Sequence, residues 1–581
     1  MIRSLRLVPA ALALLIAACS DSSTGPAAPQ PILGLQATAT GSASIRLSFN
    51  SRVGDGSYRV ERAEGTATTF TSVTTLTAPA AAATLTYDDV GLKVTTAYRY
   101  RVITIKGSAE SIASGEANAT TLAFGSATAE INADITTSRT LFADTAYTLK
   151  GFIHVANGAT LTIQAGTTIR GDFNTLGSSL FIMRGARIQA IGTADAPIVF
   201  TSSRPAGQRA PGDWGGLVIV GNAPINRSGV VEVEGTGTDG QTVVSGKNYQ
   251  VLYSGGTVAT DNSGELRYVR VEFAGFAPSL NNELNSFTFA AVGSGTRVSY
   301  VESMAGLDDS FEFFGGGFDF TNAVAYEGED DQYDMSEGWN GRMQFLISYK
   351  SAILTPRTGA GSPASDPQGI ENDGCNGSGC DQGFNTAPLT IPVVANFTLI
   401  GPGDIALSGS AGGVGMMLRR GTGGYYVNGV VARWARAGVS LRDTATFQLR
   451  GGGVQVQDLA VHDLALKNIV FSDVAGVIFQ APAGSTQQGS LDLAGNALTN
   501  SSAAAASLFA AIPAVGAAPA SANALDFTPA AGSAIASGGL TTFTGKLATK
   551  AGTFITGTSY QGAAAPTGAK WWQGWTSYAR N

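Results

Sequence analysis

Charge is scarce in this chain. Only 14% of its 581 residues are Asp, Glu, Lys or Arg, about half the share of an average globular protein. Basic residues do not dominate, since the formal charge is −7, so a basic nucleic-acid binder is excluded. The heptad charge pattern of a coiled coil is missing as well. Histidine occurs twice, at His154 and His462, far apart in sequence. That removes most nucleophile–His schemes and any His-built metal centre. Three cysteines are present, too few for a disulfide-dense scaffold. What is abundant is apolar residues (44%) and glycine (75 residues). This composition can bury a large core and excludes a disordered chain. It fits many short strands joined by turns.

Apart from one run near the start, no segment approaches eighteen consecutive apolar residues, the length that reads as a membrane span. Leu7 to Ala18 is an apolar stretch of twelve residues behind Arg3 and Arg6, too short for a stable span and patterned as an export signal. It ends in Ile16-Ala17-Ala18-Cys19. This resembles a bacterial lipoprotein signal, which implies cleavage after residue 18 and lipid on Cys19. Residues 19–30 are Ser/Ala/Pro/Gly-rich and read as a flexible tether. Losing the signal takes the formal charge from −7 to −9. The expected address is the bacterial cell envelope, as an outer-membrane lipoprotein, with the lipid as the membrane contact and no nucleic-acid partner. Cys375 and Cys380 remain, in the Gly-rich stretch Cys375-Asn376-Gly377-Ser378-Gly379-Cys380. Export permits oxidation and the spacing permits ring closure, so a local disulfide is expected.

Residues 31–122 alternate apolar and polar in short runs, such as Ile45/Leu47/Phe49, Tyr58/Val60 and Tyr98/Tyr100/Val102. The stretch Tyr58-Arg59-Val60-Glu61-Arg62 and the pair Leu92…Tyr98 resemble a fibronectin type III domain, which implies a β-sandwich and a tyrosine corner at Tyr98. Phe49 stands where that family usually has a Trp.

From residue 125 the pattern changes to fragments of three to five strand-like residues punctuated by Gly and Asn. Asn322, Asn396, Asn428 and Asn468 each precede such a fragment, which suggests a ladder of stacked Asn side chains. The sharpest repeat sets Asp308-Asp309-Ser310-Phe311-Glu312 against Asp330-Asp331-Gln332-Tyr333-Asp334, an offset of 22 residues. That period matches one coil of a solenoid, and the region would hold about a dozen to eighteen coils. Residues 351–392 read as a loop insertion carrying the Cys pair, and the Ala-rich stretch 502–524 as a short helix or a mobile loop, the helix being favoured. With Gly158-Ala159-Thr160-Leu161-Thr162-Ile163, Pro197-Ile198-Val199-Phe200-Thr201-Ser202 and Gly212-Asp213-Trp214-Gly215-Gly216-Leu217, residues 125–581 resemble right-handed parallel β-helix proteins of the pectate-lyase-like superfamily, and uncharacterised bacterial surface lipoproteins in particular. The resulting fold class is all-β: a fibronectin-like sandwich followed by a long parallel β-helix.

The repeat stacks carboxylates. Residues 298–341 hold eleven acids, and Arg342 follows them. Like charges about 4.8 Å apart repel, so the stack needs compensation. Ca²⁺ is one solution, with Asp308, Asp309, Asp330, Asp331 and Asp334 as ligands. Raised carboxyl pKa values are another, and side chains pointing into open solvent a third. Within each Asp-Asp pair a regular strand would send neighbours to opposite sides, so one ion takes all five only if the pairs lie in turns. Arg342 and Arg419 are the candidates for a base, and Trp214, Trp339 and Trp434 for stacking on sugar rings. Two functions follow: a lipid-anchored surface protein that binds glycan or protein without catalysis, or a calcium-dependent polysaccharide lyase or glycoside hydrolase using residues 308–334. An exposed groove joining acids, a basic side chain and a Trp would favour the enzyme.

Overall fold

The computed structural model describes residues 28–236, 243–244, 247–248, 251–279, 282–361, 367–403, 412–451, 458–480 and 493–581. The export signal, Cys19 and most of the tether lie outside these residues. Among the described residues no helix is long and apolar enough to cross a membrane. The chain divides into two compact units, the first ending at Leu122 and the second running from Ala123 to Asn581.

In the first unit, alternation produces two antiparallel sheets. One is Gln36–Gly41, Ser44–Asn50 and Thr84–Val90; the other is built around Ser57–Glu64, Thr71–Thr77 and Ala97–Lys106. Ile45, Leu47 and Phe49 meet Tyr58, Val60, Tyr98, Tyr100 and Val102 in one core, as in a sandwich. The Tyr98 hydroxyl accepts the Lys93 N–H at 3.0 Å, the corner contact expected of that spacing.

The second unit is a parallel β-helix. Among the described residues one parallel sheet has ten strands, from Phe152–Val155 to Val477–Gln480; the other follows twelve strands on its main path, from Ala127–Ile131 to Thr499–Ser501. Twelve strands put the coil number at the low end of the expected range, because two long stretches leave the stack: the excursion at 221–256 and the segment after residue 524. The offset of 22 holds in the pairing, with Arg297 opposite Asp319 and Glu312 opposite Asp334. Inside, aromatic side chains of successive coils stack. The rings of Phe287 and Phe311 lie 4.9 Å apart and those of Phe311 and Tyr333 5.4 Å apart, both nearly parallel. Phe313 is fully buried between Phe289 (5.2 Å) and Trp339 (4.9 Å). Phe313→Ala is expected to cost about 3–5 kcal/mol, read as a lower midpoint in chemical denaturation of the second unit.

Three sequence expectations change. Residues 351–392 are not one loop: Gln368–Asp373 is a strand of the ten-stranded sheet, flanked by irregular chain. The 502–524 stretch has two short helical turns, Ala505–Leu508, which runs into the strand Phe509–Ala511, and Ala522–Ala524. The Asn residues do not open strands. Asn322, Asn396, Asn428 and Asn468 sit within them at φ between 52° and 57°, with Tyr268, Tyr300 and Phe345 at the matching corner of other coils. Asn tolerates this left-handed conformation better than most residues. Nor is there a ladder between Asn468, Asn428 and Asn396. Asn396 donates to Gly562 O (3.1 Å), Asn428 to Leu540 O (3.1 Å) and Asn468 to Gly538 O (2.8 Å), so the corner holds down the C-terminal segment.

Candidate functional site: an acidic cleft

The cleft lies on the outer face of the ten-stranded sheet. Because Phe311, Phe313 and Met335 point inward, the alternate residues Glu312, Asp334 and Glu371 point outward in successive strands and face one another. Both Asp-Asp pairs fall in the bends that precede these strands, so the alternation rule does not separate them and all five predicted acids reach the same space. The cleft has a volume of about 530 Å³ and is lined by eleven carboxylates against three guanidinium groups.

The second Asp of each pair has two tasks. Asp309 N donates to Asn285 Oδ1 (3.1 Å), Asp331 N to Asp309 Oδ1 (2.9 Å), Gln368 N to Asp331 Oδ1, and Val414 N to Gln368 Oε1 (3.0 Å). This ladder lets a side chain in each coil satisfy a backbone N–H in the next, which explains the repeat in structural terms. Asp309 and Asp331 also line the cleft. Three sets of carboxylates, Asp308/Asp309/Asp330, Asp309/Glu312/Asp334 and Asp331/Asp334/Glu371, each bring one oxygen per residue within 4.8 Å of the others. Asp334 Oδ1 is buried without a hydrogen-bond partner.

Burial, then the negative charge of neighbours, holds Asp308, Asp309, Glu312, Asp334 and Glu371 well above the usual carboxylate range. Glu234, reaching the cleft from the 221–256 excursion, is pushed up to about 7 by burial and by the charge of Glu283. At the rim Glu337 accepts from Arg227 (2.6 Å) and from the Tyr253 hydroxyl (2.6 Å). Arg227 also donates to Ser378 O (3.1 Å), inside the loop closed by the Cys375–Cys380 disulfide. The expected disulfide is thus present and sits on the cleft rim.

The sequence profile of a family described as a pectate-lyase-like β-helix domain matches residues 133–507, well over half of the chain. The chain belongs to that family. The solved structures that match do so at low identity or over a small part of the chain. A pectate lyase from Pectobacterium carotovorum is 9% identical over 70% of this chain and 86% of its own, with a TM-score of 0.13. A family 28 exopolygalacturonase from Yersinia enterocolitica is 11% identical over 79% and 97%, with a TM-score of 0.14. An Fn3-like protein from Clostridium thermocellum is 27% identical over 16% of this chain and 92% of its own, with a TM-score of 0.14. A comparison with curated proteins gives no match.

Within this pectate-lyase-like β-helix, the other predicted site residues fare differently. Trp214, Trp339 and Trp434 have no exposed surface and are not available to a sugar. Trp214 packs where a Cβ on Gly171 would come within 2.2 Å of it, and Trp339 stands in the same relation to Gly341 at 2.1 Å. The glycines beside these tryptophans are therefore packing signals. Arg342 does not reach the cleft: it forms a two-pronged pair with Asp319 (2.7 and 2.8 Å) on the other sheet. Arg419 lines the cleft, but Asp373 (2.8 Å) and Glu371 hold its guanidinium. Those carboxylates drive its pKa up, which disfavours a role as base. Of the eleven acids counted in residues 298–341, Glu302, Asp319, Glu327 and Glu329 do not line the cleft; Glu329 pairs with the buried Lys350 at 3.1 Å. Sequence reasoning missed Glu234, Glu283, Glu371 and Asp373.

Proposed function

We propose that this chain is a cell-envelope protein, anchored through lipid on Cys19 and spaced by a fibronectin type III-like unit, whose acidic cleft takes up Ca²⁺ and through it binds an anionic glycan without cleaving it. The observation that carries the metal reading is the set of convergent carboxylates with Asp334 Oδ1 left unpaired. Two oxygens each about 2.4 Å from a calcium ion lie at most about 4.8 Å apart, the spread of each set. The donors are all hard oxygens, as that ion prefers. Eleven acids against three arginines leave a charge that such an ion offsets. Glycan binding rests on the fold and on the concave, polar shape of the cleft. The binding role is preferred to catalysis because Arg419, the basic side chain nearest the acids, is already engaged.

Polysaccharide cleavage is the second reading, carried by Glu234 with its pKa of about 7 among ionisable neighbours, a value suited to general acid work at neutral pH.

Calcium titration by calorimetry tests the metal. Saturable binding is expected for the wild type, weakened at least about tenfold in Asp309→Asn/Asp334→Asn. Asn keeps the acceptor oxygen that Asp309 offers Asp331, so the stack is retained. No heat above buffer in the wild type removes the reading. A panel of uronate-rich polysaccharides separates binder from enzyme: retention without new reducing or unsaturated ends supports binding, while product formation lost in Glu234→Gln supports cleavage.

A further inference from the structure

Away from the cleft, the side chain of the buried Arg433 makes no ion pair or hydrogen bond with another described residue. The residues that follow the twelve-strand sheet in successive coils form a column of turns, in which Lys350, Gly401, Arg433 and Asp473 occupy matching positions. Arg433 adopts φ 61°. Its backbone is satisfied, donating to Ser472 O (3.0 Å) and accepting from Gly403 N (2.9 Å). Its side chain is not. The residue is 4% exposed, and its Nε is fully buried with no acceptor. No hydrogen bond or ion pair from its guanidinium to another described residue is present.

The groups that act on it electrostatically are Tyr349 and Asp473. Both are turned to other partners: the Tyr349 hydroxyl donates to Ala517 O at 3.3 Å, and Asp473 Oδ2 accepts from Ala505 N at 2.8 Å. A buried guanidinium keeps its charge, and leaving it unpaired costs several kcal/mol. Other buried basic groups of this unit show the usual solution. Lys350, one position away across Gly401, reaches Gly328 O (2.7 Å) and Glu329 (3.1 Å). The region already holds a second cation, since Arg580 acts on the same Tyr349 and donates to Ser351 Oγ.

We infer that Arg433 anchors a small oxyanion, of the carboxylate, phosphate or sulfate type, bound within this turn column. Such an anion accepts the paired N–H groups of a guanidinium in the planar geometry that arginine favours. The site is separate from the acidic cleft and opposite to it in the charge it attracts, so it stands whether or not the cleft holds calcium.

The test is calorimetric titration of the full chain, dialysed into an anion-poor buffer, with sodium phosphate, sodium sulfate and sodium acetate at matched ionic strength against chloride. Saturable one-to-one binding of at least one probe is expected, and which probe binds separates tetrahedral from carboxylate occupants. In Arg433→Met that binding is lost. The variant also melts above the wild type without the anion and below it when the anion is saturating, because methionine removes the unpaired charge along with the anchor. Absence of saturable binding to the wild type, or identical binding in Arg433→Met, overturns the inference. Should the Met variant not fold, Arg433→Lys with the wild-type titration decides it: lysine keeps the charge but loses the paired donors, so affinity falls at least about tenfold.

Discussion

Raising the pH from 5 to 8 without divalent cations is expected to lower the melting temperature of the second unit markedly, and saturating Ca²⁺ to restore it. The sign follows from the cleft carboxylates. Asp308, Asp309, Glu312, Asp334 and Glu371 are held above their usual range by burial and by one another. In the unfolded chain such groups titrate near pH 4. The folded state therefore binds protons more tightly, and its stability is fully present below about pH 4 and is lost as pH rises through the folded pKa values. Glu234, at about 7, places part of this loss in the neutral range. Asp88 and Glu110 act in the opposite sense, lowered by Arg46 and Arg59, but they lie in solvent in the first unit, where such pairs contribute little. A cation that fills the cleft takes over from the protons, so the slope should flatten in calcium and steepen in chelator. Calorimetric scans at half-unit steps with EDTA or CaCl₂ read this directly. A melting temperature that rises with pH in EDTA would contradict it, as would a calcium effect equally large at pH 5.

The same carboxylates show how far the sequence could be read. The offset of 22 between the two Asp-Asp segments was sufficient to align Glu312 with Asp334 and to gather five of the cleft acids, because a solenoid converts sequence period into contact. It carried nothing about Glu371 and Asp373. Their strand, Gln368–Asp373, has a single large apolar residue, Ile370, and lies amid Gly, Pro and Ser, so its composition is that of a loop. Its register comes from hydrogen bonding to strands on either side, as when Asp331 receives Gln368 N–H. Glu234 and Glu283 arrive on excursions with no coil period, and no local pattern announces them. The tryptophans misled for a related reason. Residue type alone offered them to a sugar, yet the indole of Trp214 packs into the space left by Gly171, 43 residues earlier in the chain. The Asn signal was real but its partner lay far along the chain, since Asn428 exchanges hydrogen bonds with Leu540 across 112 residues.

That corner leads to the other large effect. Removal of residues 525–581 is expected to abolish cooperative folding of the β-helix. The segment adds no coil, but it covers one side of seven. Gln344 makes two hydrogen bonds with Thr556 (2.7 and 3.1 Å), and Asn396, Asn428 and Asn468 hold the chain from Gly538 to Gly562. Ser577 N donates to both oxygens of the buried Glu302 at 3.0 Å. Phe527, Trp572 and Trp575 join Tyr326, Tyr349, Val430 and Val470 in one cluster, while Leu547 and Ile555 cover Val393 and Tyr425 in another. Five large side chains at about 1.5–3 kcal/mol each amount to about as much as the whole stability of a typical domain. The loss also takes the Ser577 N–H from Glu302 and the C-terminal carbonyl acceptors from the corner Asn side chains, which adds to the cost. Trp572→Ala isolates one piece: its indole N–H binds Leu525 O at 3.0 Å, and the change is expected to cost about 3–5 kcal/mol. Urea denaturation of the point variant and limited proteolysis of the truncation read these effects. A truncated chain that melts at the wild-type temperature would mean that the stack closes its own core and the segment merely rests on it.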